Sequence, residues 1–148
     1  MERKEYQTRI RASREKLWEI LWGADTYPQW TAAFSEGSKV KTNWEEGGKV
    51  LFLNGENEGM VSRIARKKVP VKMDFEHIGM VDKNGKEDTQ SEKVKEWAGS
   101  HEIYELEEKN GETILTVSVD TADDFIDYFN ETWPRAFENL RKLSEQNS

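Results

Sequence analysis

A long stretch patterned as β-strands, followed by one amphipathic helix, constrains this chain more than any other feature. From residue 37 to residue 120, apolar positions alternate or cluster between turn signals such as Asn54-Gly55 and Asn110-Gly111. This pattern favours antiparallel strands joined by short hairpins. From Thr121 onwards the apolar spacing becomes helical. An amphipathic helix needs an apolar partner, so the sheet is expected to cover its stripe.

The C-terminal helix is predicted to begin at Thr121-Ala-Asp-Asp124, which has the form of a capping box with two acids at the positive end of the helix dipole. Pro134 lies inside the helix and removes the amide that would bond to residue 130. We therefore expect a kink near Asn130 or a break and restart at Thr132. The apolar stripe comprises Phe125, Phe129, Thr132, Ala136, Phe137, Leu140 and Leu143.

The N-terminal part adds a strand and two short helices before the sheet. Residues 4–12 alternate in polarity, which predicts a half-buried strand. Ser13 is predicted to cap a short helix that ends at Gly23. Asp25 is predicted to cap a second short helix, with Pro28 in its first turn.

This order of elements predicts an α+β helix-grip fold in one domain over residues 1–148. A curved antiparallel sheet of six to seven strands follows the meander order, with two short helices after the first strand. The long C-terminal helix packs across the concave face, which is the only surface large enough to cover it. Aromatic side chains between sheet and helix are expected to line a hydrophobic cavity.

Charge and composition exclude several classes of function. The chain has no cysteine, which excludes disulfides, thiolate zinc sites and cysteine nucleophiles. Its net charge is −7, and an acidic protein repels phosphate backbones, so we expect no nucleic-acid partner. No apolar run approaches the roughly 20 residues of a membrane span, and the charged N-terminus lacks a signal-peptide pattern. We expect a cytoplasmic monomer.

Short motifs along essentially the whole chain resemble those of the START-like, or SRPBCC, superfamily. Within it, the chain is most similar to the group related to the activator of heat-shock-protein-90 ATPase. Each motif is degenerate alone, and their order is the specific part. The motifs are Ala12-Ser13 with Leu17-Trp18-Glu-Ile-Leu21, Tyr27-Pro28-Gln-Trp30, Glu46-Gly47-Gly48, Gly59, Pro70, Trp97-Ala-Gly99 with Tyr104, Gly111-Glu-Thr113 with Leu115, and Phe129-Asn-Glu-Thr-Trp133-Pro134 with Leu140-Arg-Lys-Leu143.

The resemblance implies a helix-grip fold with a hydrophobic cavity, but it does not imply one function, because one fold hosts many. Relatives of this shape bind lipids, sterols, hormones or polyketides. Some act as aromatases or cyclases, and some contact a chaperone.

His77 is the ionisable residue of most interest, because its parity places it on the apolar face with Met73 and Phe75. It could orient a ligand or move a proton in the cavity. The alternative is a histidine at the edge of the core, bonded to backbone or facing solvent. His101 is interpreted as a solvated edge residue. The two histidines lie on different strands without ligand spacing, so we expect no metal site and no cofactor.

Ten residues are candidates for lining the cavity, chosen by sequence pattern. No catalytic residue is assigned, because no Gly-x-Ser-x-Gly motif and no Ser-His-Asp order stands out. The candidates are Trp30, Phe34, Trp44, Met60, Phe75, His77, Tyr104, Phe125, Phe129 and Trp133.

Three functions remain open from the sequence. The first hypothesis is non-catalytic binding of a small hydrophobic or aromatic molecule. The second is a cyclase-like or aromatase-like enzyme in which His77, with Tyr104 or another cavity hydroxyl, transfers protons. The third is a chaperone-cofactor-like interaction module, which follows from the resemblance alone.

Overall fold

The computed structural model describes residues 1–145. Within that range, no helix is both long enough and apolar enough to cross a membrane. The elements in chain order are β1 (Glu2–Ile10), α1 (Arg14–Trp22), α2 (Tyr27–Thr31), β2 (Lys39–Lys41), β3 (Lys49–Leu53), β4 (Gly59–Lys68), β5 (Lys72–Val81), β6 (Glu87–Asp88), α3 (Glu92–Lys95), β7 (Ser100–Lys109), β8 (Glu112–Thr121) and α4 (Ile126–Glu145).

The strands form one antiparallel sheet in the order β1-β8-β7-β5-β4-β3-β2, and the two-residue β6 pairs with the end of β5. The predicted α+β helix-grip fold is therefore confirmed, with two short helices after β1 and a long helix at the C-terminus. The sheet has eight strands rather than six to seven, because residues 87–88 add a short strand inside a charged connection.

The main core lies between the concave face of the sheet and the helices. The helix α4 packs against α1, α2 and β1. Its buried residues, Trp133, Ala136, Phe137 and Leu140, meet apolar residues of the sheet. Those sheet residues include Ile10, Val50, Ile64, Met73, Phe75, Leu106, Leu115, Val117 and Val119.

The first short helix begins as predicted, and the second does not. The side chain of Ser13 accepts a hydrogen bond from the Lys16 amide at 3.2 Å and caps α1. The predicted cap at Asp25 is wrong, because Thr26 occupies the cap position of α2 and makes no side-chain cap bond. The Thr26 hydroxyl instead donates to the Ile20 carbonyl oxygen at 2.6 Å, which ties α2 to α1.

The start of the C-terminal helix corrects the predicted capping box. Residues 123–125 form a 3₁₀ turn, and α4 begins only at Ile126. The Thr121 hydroxyl donates to the Ala122 carbonyl oxygen and caps no helix amide. A 3₁₀ turn has three residues per turn, so it rotates Phe125 away from the apolar stripe.

Of the two predicted effects of Pro134, a kink near Asn130 or a break at Thr132, the break does not occur, because α4 runs continuously from Ile126 to Glu145. A proline inside a helix costs about 3 kcal/mol. Burial of the neighbouring stripe offsets that cost, since Trp133 and Ala136 are both buried. The Thr132 hydroxyl donates to the Tyr128 carbonyl oxygen at 2.6 Å.

Candidate functional site

Four polar side chains form a continuous chain of hydrogen bonds on the concave face. The Ser62 Oγ atom lies 2.6 Å from His77 Nδ1, and His77 Nε2 lies 3.3 Å from Glu102 Oε1. The Tyr104 hydroxyl donates to the other carboxylate oxygen of Glu102. We call these four residues the concave-face chain.

An irregularity in the sheet aligns the first two members. Val61 pairs with Gly79 and Ser62 pairs with His77, so Ile78 has no partner on β4. Such a β-bulge changes which residues face each other across two strands. It places Ser62 opposite His77.

Regular alternation aligns the other two members. Glu102 and Tyr104 are two residues apart on β7 and therefore face the same side. Their partners on β8, Val119 and Val117, belong to the core, which identifies that side as the concave one. On the other side of β7, Glu102 pairs with Phe75 of β5. Phe75 is two residues from His77, so His77 faces the same side as Glu102 and Tyr104.

Aromatic rings surround this chain. The Phe52 ring centroid lies 5.8 Å from His77 and 4.9 Å from Phe75. The Trp22 centroid lies 4.9 Å from Tyr104 and 5.3 Å from Phe75, both edge to face. The polar groups therefore lie against an apolar wall, in which hydrogen bonds and charges act more strongly than in water.

Burial differs along the concave-face chain. Ser62 is fully buried, and Tyr104 is 2% exposed. The side chain of Glu102 is 24% exposed, against 10% for His77. Glu102 is therefore the member that a molecule on the concave face reaches first, whereas the Ser62 hydroxyl orients His77 from behind.

Two tyrosines near Glu102 are held in the neutral form. Burial raises the pKa of Tyr104 well above its ordinary value, and the charge of Glu102 and its hydrogen bond add to that rise. Burial, with the charge of Glu102, also raises the pKa of Tyr27. Tyr104 therefore acts as a hydrogen-bond donor to Glu102 and not as a base.

Two buried indole N–H groups have no hydrogen-bond partner in the described structure. They belong to Trp22 and Trp133, which are 8% and 2% exposed. Both rings contact Tyr104, at centroid distances of 4.9 and 6.1 Å. The indole N–H of Trp30, by contrast, donates to the Leu21 carbonyl oxygen at 3.0 Å. A buried donor without a partner is costly, so an acceptor next to Trp22 or Trp133 would stabilise the protein.

The structure distributes the ten predicted lining residues over three environments. Eight of them are buried or pack against the core, Met60 is partly buried outside it, and Phe125 is 57% exposed. Trp133 joins several of them, with its ring centroid 4.8 Å from Phe34 and 6.3 Å from Trp30. The buried residues are Trp30, Phe75, His77, Tyr104 and Trp133, and the partly buried ones are Phe34, Trp44, Met60 and Phe129.

His101 is not at the edge of the sheet, which corrects that interpretation. It lies on β7, between β5 and β8, with its Nδ1 atom 2.7 Å from Asp74 Oδ1 on the convex face. Within residues 1–145, no group of three or more His, Asp or Glu side chains is placed to hold a metal ion.

A groove of about 840 Å³ lies away from the concave-face chain. It runs between the β3–β4 turn and the β5–β6 connection, and its lining includes Glu58, Met80, Asp82 and Asp88. This groove is open and bordered by acids, unlike the aromatic region between sheet and α4.

Sequence reasoning missed Ser62, Glu102, Trp22 and Phe52 as members of the site. Alternation along the strand could have found Glu102, because it is two residues before Tyr104. Ser62 had no such signal, because its position opposite His77 depends on the bulge.

Comparison with known proteins gives a family and a fold. A family model described as "Activator of Hsp90 ATPase homolog 1-like protein" matches residues 11–145. No curated protein is significantly similar in sequence to this chain.

Solved structures support the fold. The Aha1 dimer from Colwellia psychrerythraea is 16% identical, with a TM-score of 0.72, and the match covers 98% of this chain and 97% of that one. Protein MLL2253 from Mesorhizobium loti is 14% identical, with a TM-score of 0.74 and 99% of both chains covered. CalU16 from Micromonospora echinospora is 15% identical, with a TM-score of 0.64, and the match covers 93% and 73% of the two chains.

Proposed function

This chain belongs to the Activator of Hsp90 ATPase homolog 1-like family within the START-like, or SRPBCC, superfamily, and from that premise we propose that it binds a small hydrophobic or aromatic molecule between the sheet and α4. The observation that carries the proposal is the concave-face chain, whose most exposed member, Glu102, pairs across the sheet with Phe75 of the aromatic wall. Ligand sites in proteins typically combine such an apolar lining with a few convergent polar groups.

The unpartnered indole groups give independent support. Trp22 and Trp133 each bury an N–H without an acceptor, and both rings contact Tyr104. A ligand that carries an acceptor atom would satisfy one of these donors and recover the free energy that an unmade hydrogen bond costs, about 1–3 kcal/mol. The aromatic residues among the predicted lining residues that are buried or pack against the core would supply apolar contact.

The test follows the indole N–H signals of ¹⁵N-labelled protein while a panel of aromatic compounds is added. We expect a bound compound with an acceptor atom to move the signal of Trp22 or Trp133. The Trp30 signal is the internal control, because its N–H already donates to Leu21. Binding should also raise the melting temperature with dose, since a ligand of the native state stabilises it by mass action.

Two results would contradict binding at this site. In the first, no compound moves either signal or the melting temperature. In the second, the shifts cluster at residues 54–59 and 80–90, which would place binding in the groove beside β6.

A second candidate function is an enzyme of the cyclase or aromatase type. It is favoured by the concave-face chain itself, because the hydrogen bonds connect His77 to Tyr104 through Glu102. A proton that Glu102 accepts from a substrate would be shared with His77 through their hydrogen bond, since imidazole is a common acid–base group in enzymes. With an identified substrate, we expect His77→Ala to retain binding and lose turnover. Unchanged turnover would remove His77 from the mechanism.

A chaperone-cofactor role rests on the family description alone. Its test is a pull-down of the host chaperone at micromolar protein. If Glu102→Gln recovers as much chaperone as the unaltered protein, the chaperone contact does not use the ligand site.

A further inference from the structure

Every side-chain donor of the concave-face chain donates its hydrogen bond to another of the four residues. When the His77 ring is neutral, its Nε2–H donates to Glu102, because a carboxylate can only accept, and the Ser62 hydroxyl donates to its Nδ1. The Tyr104 hydroxyl donates to Glu102 as well. A carboxylate has about four lone-pair sites, so Glu102 keeps free acceptors and the exposed side of the chain offers no free donor.

The charge of Glu102 meets no lysine or arginine side chain within 4 Å among residues 1–145. The basic residue nearest in register is Lys4, which pairs with Val119, the β8 partner of Glu102. Lys4 instead lies 3.5 Å from the Glu2 carboxylate, and its side chain is 35% exposed. Among the described residues, the only side chain placed to pair with the charge of Glu102 is therefore His77, whose Nε2 lies 3.3 Å from Oε1.

The rings beside this carboxylate add a preference for cations. Phe75 pairs with Glu102 across the sheet, and the Phe75 ring contacts both Trp22 and Phe52. Aromatic faces attract ammonium groups, and they do so more strongly when the cation is desolvated. A carboxylate beside aromatic rings is thus suited to an organic cation with an apolar body.

Building on the proposed function, we propose that the ligand carries a hydrogen-bond donor as its head group and that Glu102 binds it. A protonated amine on an aromatic body is preferred over an alcohol, and a carboxylic acid on the same body is excluded. The exclusion follows because the charge of a second carboxylate would repel that of Glu102, whereas a neutral acceptor atom of the ligand could still receive the indole N–H of Trp22 or Trp133.

The experiment compares three head groups on one apolar body by isothermal titration calorimetry. The probes are naphthalenes with an aminomethyl, a hydroxymethyl or a carboxylate group, and a benzyl series repeats the comparison with a smaller body. We expect the amine to bind at least tenfold more tightly than the carboxylate at pH 7.5. Glu102→Gln should reduce that ratio to about twofold, because it keeps the shape and an acceptor but removes the charge.

The matched control is Glu105→Gln. Glu105 lies on the same strand, is exposed, and faces the opposite side of the sheet, so the tenfold ratio should persist. A carboxylate probe that binds as tightly as the amine would overturn the head-group proposal while leaving ligand binding intact. If no probe of either series binds, the proposed function fails and this inference fails with it.

A measurement on the unaltered protein covers the case in which Glu102→Gln does not fold. The ¹³C signal of the Glu102 carboxylate is followed while the amine probe is added. A shift of that signal that saturates with the binding curve supports the proposal. A bound amine that leaves the Glu102 signal in place overturns it.

Discussion

The Oγ atom of Ser62 lies 2.6 Å from Nδ1 of His77, and both side chains are buried. Because His77 Nε2 faces the Glu102 carboxylate, the neutral form of the ring donates through Nε2 and accepts through Nδ1. The serine hydroxyl thus selects one tautomer of the imidazole. It also fixes the ring plane that Glu102 meets.

We predict that Ser62→Ala destabilises the protein by about 1–3 kcal/mol, because it leaves a buried ring nitrogen without a donor. Urea denaturation measures the change, and the ¹⁵N shifts of His77 report the tautomer, which should become mixed. Ser118→Ala is the control, since Ser118 is also buried but makes no side-chain hydrogen bond described within residues 1–145. Equal costs for the two variants would show that the contact between Ser62 and His77 adds no stability.

Local patterns in the sequence were sufficient for the fold and for part of the site. Ser13 as a helix cap and the inward parity of Phe75 and His77 each depend on residues close in the chain. Such features follow from backbone geometry over one turn or a few strand residues. They could therefore be predicted without knowledge of the pairing.

Features that depend on distant partners could not be predicted in this way. Ser62 meets His77 because Ile78 is bulged out of the ladder, and no local pattern marks that bulge. Phe125 fits the helical period, yet a 3₁₀ turn moves it to the surface.

Asp120 is expected to make the protein sensitive to acid. The hydrogen bond from the Arg3 guanidinium is the main cause that lowers the pKa of Asp120. The hydrogen bond from the backbone N–H of His101 and the positive charge of Arg3 add to the effect. A lowered folded-state pKa gives stability that is present above the unfolded value, near 3.9, and is lost as the pH falls through the folded value.

We therefore predict that Asp120→Asn lowers the free energy of unfolding at pH 6 and flattens its decline below about pH 4. Urea titrations from pH 6 to pH 2.5 measure both effects. Lys4→Gln is the control, because it removes a positive charge from β1, the strand of Arg3, on the face opposite to Asp120. An unchanged acid decline in Asp120→Asn would contradict the assignment.

Tyr27 and Tyr104 are expected to make the protein sensitive to alkali. Burial raises both pKa values, so the folded protein keeps these protons after the unfolded chain has released them above about pH 10. The folded state then binds more protons, and stability falls as the pH rises, by up to about 1.4 kcal/mol per pH unit for each group.

The measurement is the free energy of unfolding in urea between pH 9 and pH 11.5. We predict that Tyr104→Phe makes the decline of the free energy of unfolding above pH 10 less steep by up to about 1.4 kcal/mol per pH unit, the contribution of one proton, because phenylalanine does not ionise. Tyr27→Phe should reduce it by a similar amount. A slope that neither variant changes would show that other groups cause the alkaline decline.

Two phenylalanines near and within α4 provide a test of which aromatic residues support the core. Phe125 is 57% exposed in the 3₁₀ turn, whereas Phe137 is 6% exposed and its ring centroid lies 5.4 Å from that of Trp133. We predict that Phe137→Ala costs about 3–5 kcal/mol of stability through a cavity in the core. Phe125→Ala should change it by no more than about 0.5 kcal/mol, as is usual for a surface position. Urea denaturation measures the free energy of unfolding of both variants. A large loss for Phe125→Ala would contradict its surface position and indicate that Phe125 packs in the apolar stripe, as its spacing predicts.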